Sequence, residues 1–150
     1  MRVLGYRPFS GYGPGQPDDY PMTAIAKRAI AREDPLIVWG NGQQVRDFIY
    51  IDDIVEQVTR DVAVRIDDDI PVNQHYRVRN LGTGVGPSFI ELARLMSRVV
   101  GYAPEIATLV DRPMGVEHRV AGTVWHRMMR CEIDLETGVK RLLGYLKENP

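Results

Sequence analysis

Three times along this 150-residue chain a short apolar run leads into a glycine-bearing turn and then a helical pattern. That recurrence restricts the fold more than any other feature, because strands alternating with helices build an α/β unit. Arg2–Phe9 reads as a buried strand broken at Pro8. Ser10–Pro17, with three glycines and two prolines in eight residues, is expected to be irregular. The next helix is expected over Pro21–Glu33, with Met22, Ile25, Ala26, Ala29 and Ile30 on one apolar face. Leu36–Trp39 is a short strand that runs into the Gly40-Asn41-Gly42 turn.

Asp52 and Asp53 suit the start of a helix, where acidic groups complement the macrodipole. That helix is expected to turn Ile54, Val55, Val58, Val62 and Ile66 inward, before a solvated break at Asp67–Pro71. Tyr76–Leu81 alternates apolar and polar residues and meets Gly82-Thr83-Gly84-Val85-Gly86-Pro87. Ser88 and Glu91 form a capping box; Phe89, Leu92, Ala93, Leu95, Met96, Val99 and Val100 pack inward, and Gly101 stops the helix. Glu105–Val110 and Val116–Val120 are strand candidates. Thr123 can cap a short helix, and Asp134 caps a last one. Only Arg2–Phe9 and Tyr76–Leu81 look like long core strands, so the chain reads as part of a larger α/β unit.

Composition excludes some classes. A net charge of -1 gives no electrostatic argument for nucleic acid or an anionic membrane. No stretch approaches the apolar length of a membrane span. The opening apolar run is too short for a signal peptide. A single cysteine, Cys131, rules out an internal disulfide and suits a reducing, cytoplasmic setting.

Two arginines stand where an anion could be held. Arg46 lies between the Gly40–Gly42 turn and the apolar run Phe48–Ile51, and its planar fork matches phosphate oxygens two at a time. The alternative is a structural ion pair with Asp47, Asp52 or Asp53. Arg112, in an Asp-Arg-Pro turn after a strand, is placed similarly, with a salt bridge to Asp111 as its alternative. Gly82-x-Gly84-x-Gly86 lacks the spacing of a dinucleotide fingerprint and is better explained as a tight strand-to-helix connection. His75, His118, His126 and Cys131 show no metal-ligand spacing. Cys131 is expected to be a small buried residue, and Trp125, Met128 and Met129 to be core.

Arg7-Pro8-Phe9-Ser10-Gly11-Tyr12-Gly13-Pro14-Gly15-Gln16, Gly40-Asn41-Gly42, Arg46-Asp47-Phe48-Ile49-Tyr50-Ile51-Asp52-Asp53, Asn80-Leu81-Gly82-Thr83-Gly84 and Asp111-Arg112-Pro113 occur in one order. Together they resemble the C-terminal half of the extended short-chain dehydrogenase/reductases, the NAD-dependent nucleotide-sugar epimerases and dehydratases. The resemblance implies the last parallel core strands of a Rossmann-like fold plus a small α/β substrate-binding subdomain. Residues 1–150 would form one nucleotide-sugar-binding portion, with the N-terminal NAD-binding half absent. It implies that Arg46 and Arg112 clamp a diphosphate. Leu36, Ile37 and Val38 would lie along the nucleobase, and Ser10 and Gln44 would contact the substrate. Pro8 and Phe9 would lie next to the NAD cofactor. Ser10 departs from the family's usual Asn, and a hydroxyl lacks an amide's two donors.

The family's catalytic Tyr-x-x-x-Lys pair is not found. None of Tyr6, Tyr12, Tyr20, Tyr50, Tyr76, Tyr102 and Tyr145 has lysine four residues later. The expectation is a chain that holds a nucleotide-diphosphate sugar. The missing N-terminal half or a second protein chain would partner it, and it would have no catalytic or metal-ligating residue of its own.

Overall fold

The computed structural model describes residues 3–63, 75–112, 115–122 and 131–150. In chain order the elements are β1 (Val3–Pro8), β2 (Ser10–Tyr12), α1 (Pro21–Ile30), β3 (Leu36–Trp39), β4 (Val45–Arg46) and β5 (Phe48–Tyr50). They continue as α2 (Ile51–Ala63), β6 (Tyr76–Leu81), α3 (Phe89–Val100), β7 (Ile106–Leu109), β8 (His118–Arg119) and α4 (Leu135–Glu148). The strands pair in parallel, β1 with β6, β2 with β5, β3 with β7 and β4 with β8. This is the α/β arrangement that the alternation predicts. The expected helix over Trp125, His126, Met128 and Met129 lies outside the described residues, as do Ile66 and Asp67–Pro71.

Two of these pairings hand over to each other at one point. The Phe9 amide still donates to Leu81, continuing the β1–β6 ladder, and the next amide, Ser10, donates to the Asp47 carbonyl. The chain thereby changes partner from β6 to β5. Asp47 makes the same change from the other side, its own amide donating to Arg119 beyond the β4–β8 pair. Ser10–Tyr12 is therefore a strand, not irregular chain as its composition suggests, because β5 supplies its ladder partners. The glycines there serve close approach: a Cβ at Gly13 would sit 2.5 Å from Ile51 Cγ2.

Three helices enclose the core. Met22, Ile25, Ala26 and Ala29 of α1 meet Leu92, Ala93 and Met96 of α3 and Val139, Leu142, Leu143 and Leu146 of α4. Leu36 and Val38 of β3 and the ring cluster Tyr12, Phe48 and Tyr50 complete it. The Ser88–Glu91 capping box is formed and Gly101 ends α3 in the left-handed region at φ 85°. α1 stops at Ile30, short of the expected Glu33, because Arg32 turns to φ 55° and its guanidinium donates to the Gly101 carbonyl.

α2 turns inward only part of its expected apolar stripe, Ile54 and Val58 being half-buried. Its buried residues are Asp53, Gln57 and Asp61, whereas Val55 and Val62 are 56% and 73% exposed. The physical reason is a polar network stronger than the apolar stripe. Asp61 takes Arg79 Nη1 at 2.7 Å, Gln57 Nε2 at 2.8 Å and the Tyr6 hydroxyl at 2.9 Å. These bonds tie α2 to β6 and β1. Asp53 accepts the amides of Glu132 and Ile133. Cys131, expected to be buried, is exposed. Desolvation of its thiol, with Asp53 and Asp47 nearby, still pushes it up to about 11, so it offers little thiolate at neutral pH.

Candidate functional site: an arginine without a carboxylate

Arg46 is placed by backbone bonds on both sides. Val45 donates to Glu117, Arg46 to Pro87 and Asp47 to Arg119. A Cβ at Gly86 would stand 2.2 Å from the Arg46 carbonyl oxygen, so only glycine lets the β6–α3 connection pass so close. The Asp47 carboxylate, fully buried, then accepts the Thr83 amide at 2.7 Å, the Thr83 hydroxyl at 2.6 Å, the Gly84 amide at 2.8 Å and the Ala121 amide at 3.1 Å.

That arrangement leaves the Arg46 side chain with carbonyls only. Its Nη1 donates to Val45 at 2.8 Å and reaches Glu117 at 3.5 Å, and its guanidinium stands 5.5 Å over the Phe89 ring. Asp47 is spent on backbone amides, Asp52 pairs with Arg141, and Asp53 serves residues 132 and 133. Among the described residues no carboxylate pairs with Arg46. Arg46 as a whole residue is only 9% exposed. Burial, then the nearby charge of Arg119, lowers its pKa, and a buried cation without a counter-charge is costly.

Arg46 lines an open cleft with an empty volume of about 680 Å³ including its mouth. Val38, Trp39, Gln44 and Phe89 wall it, with Asp18, Asp19 and Arg28 at its polar side. Gln44 is 2% exposed and donates to the Trp39 carbonyl, while its Oε1 has no partner. Leu36 lies fully in the hydrophobic core, Ile37 is half-buried with its carbonyl taken by Arg28, and Val38 faces the cleft. Arg112 is exposed and stands 5.4 Å over the Trp39 ring, with Arg28 at 5.5 Å from the same ring. It makes no ion pair with Asp111. Pro8 ends β1 on the neighbouring sheet, and Phe9 links it to Ser10 at the start of β2.

Sequence reasoning passes over Trp39, Phe89 and Arg119. Trp39 carried a usable signal, an aromatic ring at the end of a strand immediately before a glycine turn. Arg119 carried none, since only the β4–β8 register brings it to Arg46. Among the described residues no group of His, Cys, Asp and Glu could hold a metal, and no helix is long and apolar enough to cross a membrane.

Residues 1–78 match the model of the NAD dependent epimerase/dehydratase family. GDP-L-fucose synthase from Escherichia coli is 27% identical over 96% of this chain and 46% of its own length. UDP-glucuronate 4-epimerase from Thermodesulfobacterium geofontis is 29% identical over 95% and 42%. The chain thus spans about half the length of these relatives. Among solved structures, UDP-glucose 4-epimerase from Thermotoga maritima, with UDP-glucose, superposes at a TM-score of 0.75, with 24% identity over 97% of this chain and 46% of its own. UDP-glucuronic acid 4-epimerase from Bacillus cereus, solved with NAD, gives 0.79, with 22% identity over 99% and 46%. This chain therefore belongs to the NAD dependent epimerase/dehydratase family and carries about half of that Rossmann-like fold.

Proposed function

We propose that this chain carries the nucleotide-diphosphate-sugar-binding share of an NAD-dependent sugar epimerase or dehydratase. The observation that supports this most is Arg46, a buried arginine that lines a cleft and that no carboxylate among the described residues pairs with, Asp18 and Asp19 lining the same cleft without pairing to it. A diphosphate supplies that charge in the bidentate geometry that a guanidinium prefers. Trp39 and Val38 offer the adjoining apolar wall for a base, Arg28 is the second cation lining the cleft, and Arg112 adds a third over the Trp39 ring. Ser10, Gln44 and Ile37 keep the supporting roles that the family resemblance assigns to them, whereas Leu36, fully buried in the core, can only hold the strand from behind.

The described residues do not themselves form a dinucleotide cradle. The Gly82–Gly86 strand-to-helix connection spends its Thr83 and Gly84 amides on Asp47, so no step through NAD is assigned to it. Pro8 and Phe9 remain the segment that would face a cofactor held by the other half of the family's length. What this chain contributes is binding and orientation of the sugar nucleotide. Val3, Tyr76, Ile51, Val55 and Val62 are exposed on β1, β6 and α2, and large apolar side chains left wet mark a surface for another polypeptide. That other half is the partner proposed for it.

Incubation of the chain with NAD and UDP-, GDP- or dTDP-sugars should give no epimer and no 4-keto product. Turnover that survives rigorous purification, and is lost when Tyr12 or Tyr50 is changed to phenylalanine, would overturn the non-catalytic reading.

A further inference from the structure

Arg46 and Arg119 are register partners on the parallel strands β4 and β8. Neighbouring strands lie about 4.8 Å apart and register partners share a face, so the two guanidinium side chains rise from one face of the β4–β8 pair, with Arg46 lining the cleft and Arg119 exposed beside it. Like charges directly opposite each other destabilise a sheet. Nothing among the described residues relieves this pair. Arg119 makes no ion pair, and its Nη2 donates only a long bond, 3.4 Å, to the Ser10 hydroxyl. Glu117, two residues before Arg119, meets Arg46 through its backbone carbonyl and not its carboxylate. Asp47, the nearest acid in the chain, is spent on the amides of Thr83, Gly84 and Ala121. Ser10 is itself fixed by its amide bond to the Asp47 carbonyl, so it braces the Arg119 guanidinium from a rigid position.

We propose that Arg119 is a further anion-binding residue of this site, one that joins Arg46 in holding a single oxyanion group of the ligand, with Ser10 as its brace. The inference rests on the reading of the cleft as a sugar-nucleotide site and adds a residue to it. A phosphate oxygen of the diphosphate and a carboxylate on the sugar share the required chemistry. Each presents two oxygens to a guanidinium fork. The mutual repulsion that the pair suffers without ligand becomes attraction to a common counter-charge once an oxyanion lies between them.

The test is titration calorimetry of the full 150-residue chain with inorganic pyrophosphate, UDP-glucose and UDP-glucuronate, for the parent, Arg119→Gln and Arg46→Ala. Arg119→Gln should weaken at least one of these ligands about tenfold or more, the equivalent of one charge-assisted hydrogen bond. Loss for all three ligands assigns the oxyanion to the diphosphate. Loss confined to UDP-glucuronate assigns it to the sugar carboxylate, and both results support Arg119. Without ligand, Arg119→Gln should melt no lower than the parent, because it removes a repulsion; a purely structural arginine would instead lower the melting temperature. Unchanged affinity for all three ligands in Arg119→Gln, with Arg46→Ala weakened, overturns this inference alone. Unchanged affinity in both variants, or no binding by the parent, overturns the sugar-nucleotide reading with it.

Discussion

Replacing Asp47 by asparagine should cost the fold about 3 kcal/mol, and the figure follows from its bonds. One carboxylate oxygen accepts the Thr83 amide and hydroxyl, and the other accepts the amides of Gly84 and Ala121. Asparagine keeps the shape but has a single acceptor oxygen. Two of the four donors would then face an amide NH₂ in a fully buried position. A buried donor that loses its acceptor costs about 1–3 kcal/mol, giving roughly 2–6 kcal/mol for two. The lower half of that range is appropriate because Thr83 and Gly84 are only half-buried and water can reach them. For a domain of this size such a loss lowers the melting temperature by about 6–12 °C. Urea unfolding should show an earlier midpoint with an unchanged slope, the mark of lost stability rather than altered compactness. A loss below about 1 kcal/mol would refute the reasoning, since it would mean that the β6–α3 connection and residue 121 hold their places without this carboxylate.

Asp61→Asn replaces the carboxylate of the buried pair with Arg79 by a neutral amide and should destabilise by about 1.5–3 kcal/mol in urea unfolding, the range for hydrogen bonds to a charged group. Tyr6 has its pKa raised to about 12, by burial first and then by its bond to Asp61. The folded state then holds a proton that the unfolded chain releases near pH 10, so stability should fall as pH rises from about 10 to 12. Absorbance titration of the parent against Tyr6→Phe checks this. Gly86→Ala drives a Cβ against the Arg46 carbonyl and should cost about 1–3 kcal/mol. Thermal unfolding measures it, and Gly144→Ala, which meets nothing, serves as the control.

The parts of this fold legible in the sequence are those written locally. The α3 capping box, the left-handed Gly101 and the β3 strand each depend on residues within a few positions of one another. The orientation of α2 was not legible, because its apolar stripe and its acidic stripe are both regular. What decides between them is Arg79 and Tyr6, on strands distant in sequence. Ser10–Tyr12 looked irregular because a glycine-rich strand has no propensity of its own, and only β5 gives it partners. At the site, Arg46 could be singled out from its neighbours. Its freedom from Asp47, Asp52 and Asp53 could not, since that rests on where each of those carboxylates finds its amides or its arginine. Arg119 opposite Arg46 is a matter of register between strands more than seventy residues apart, which no local pattern encodes.

The central claim is that Arg46 faces the cleft to receive a diphosphate. The most direct measurement is calorimetric titration of UDP-, GDP- and dTDP-sugars into the chain and into Arg46→Ala. At least one should bind the parent, and the variant should lose about 1.5–3 kcal/mol of that affinity, the range for hydrogen bonds to a charged group. Equal affinity and equal enthalpy in the two proteins would contradict the account.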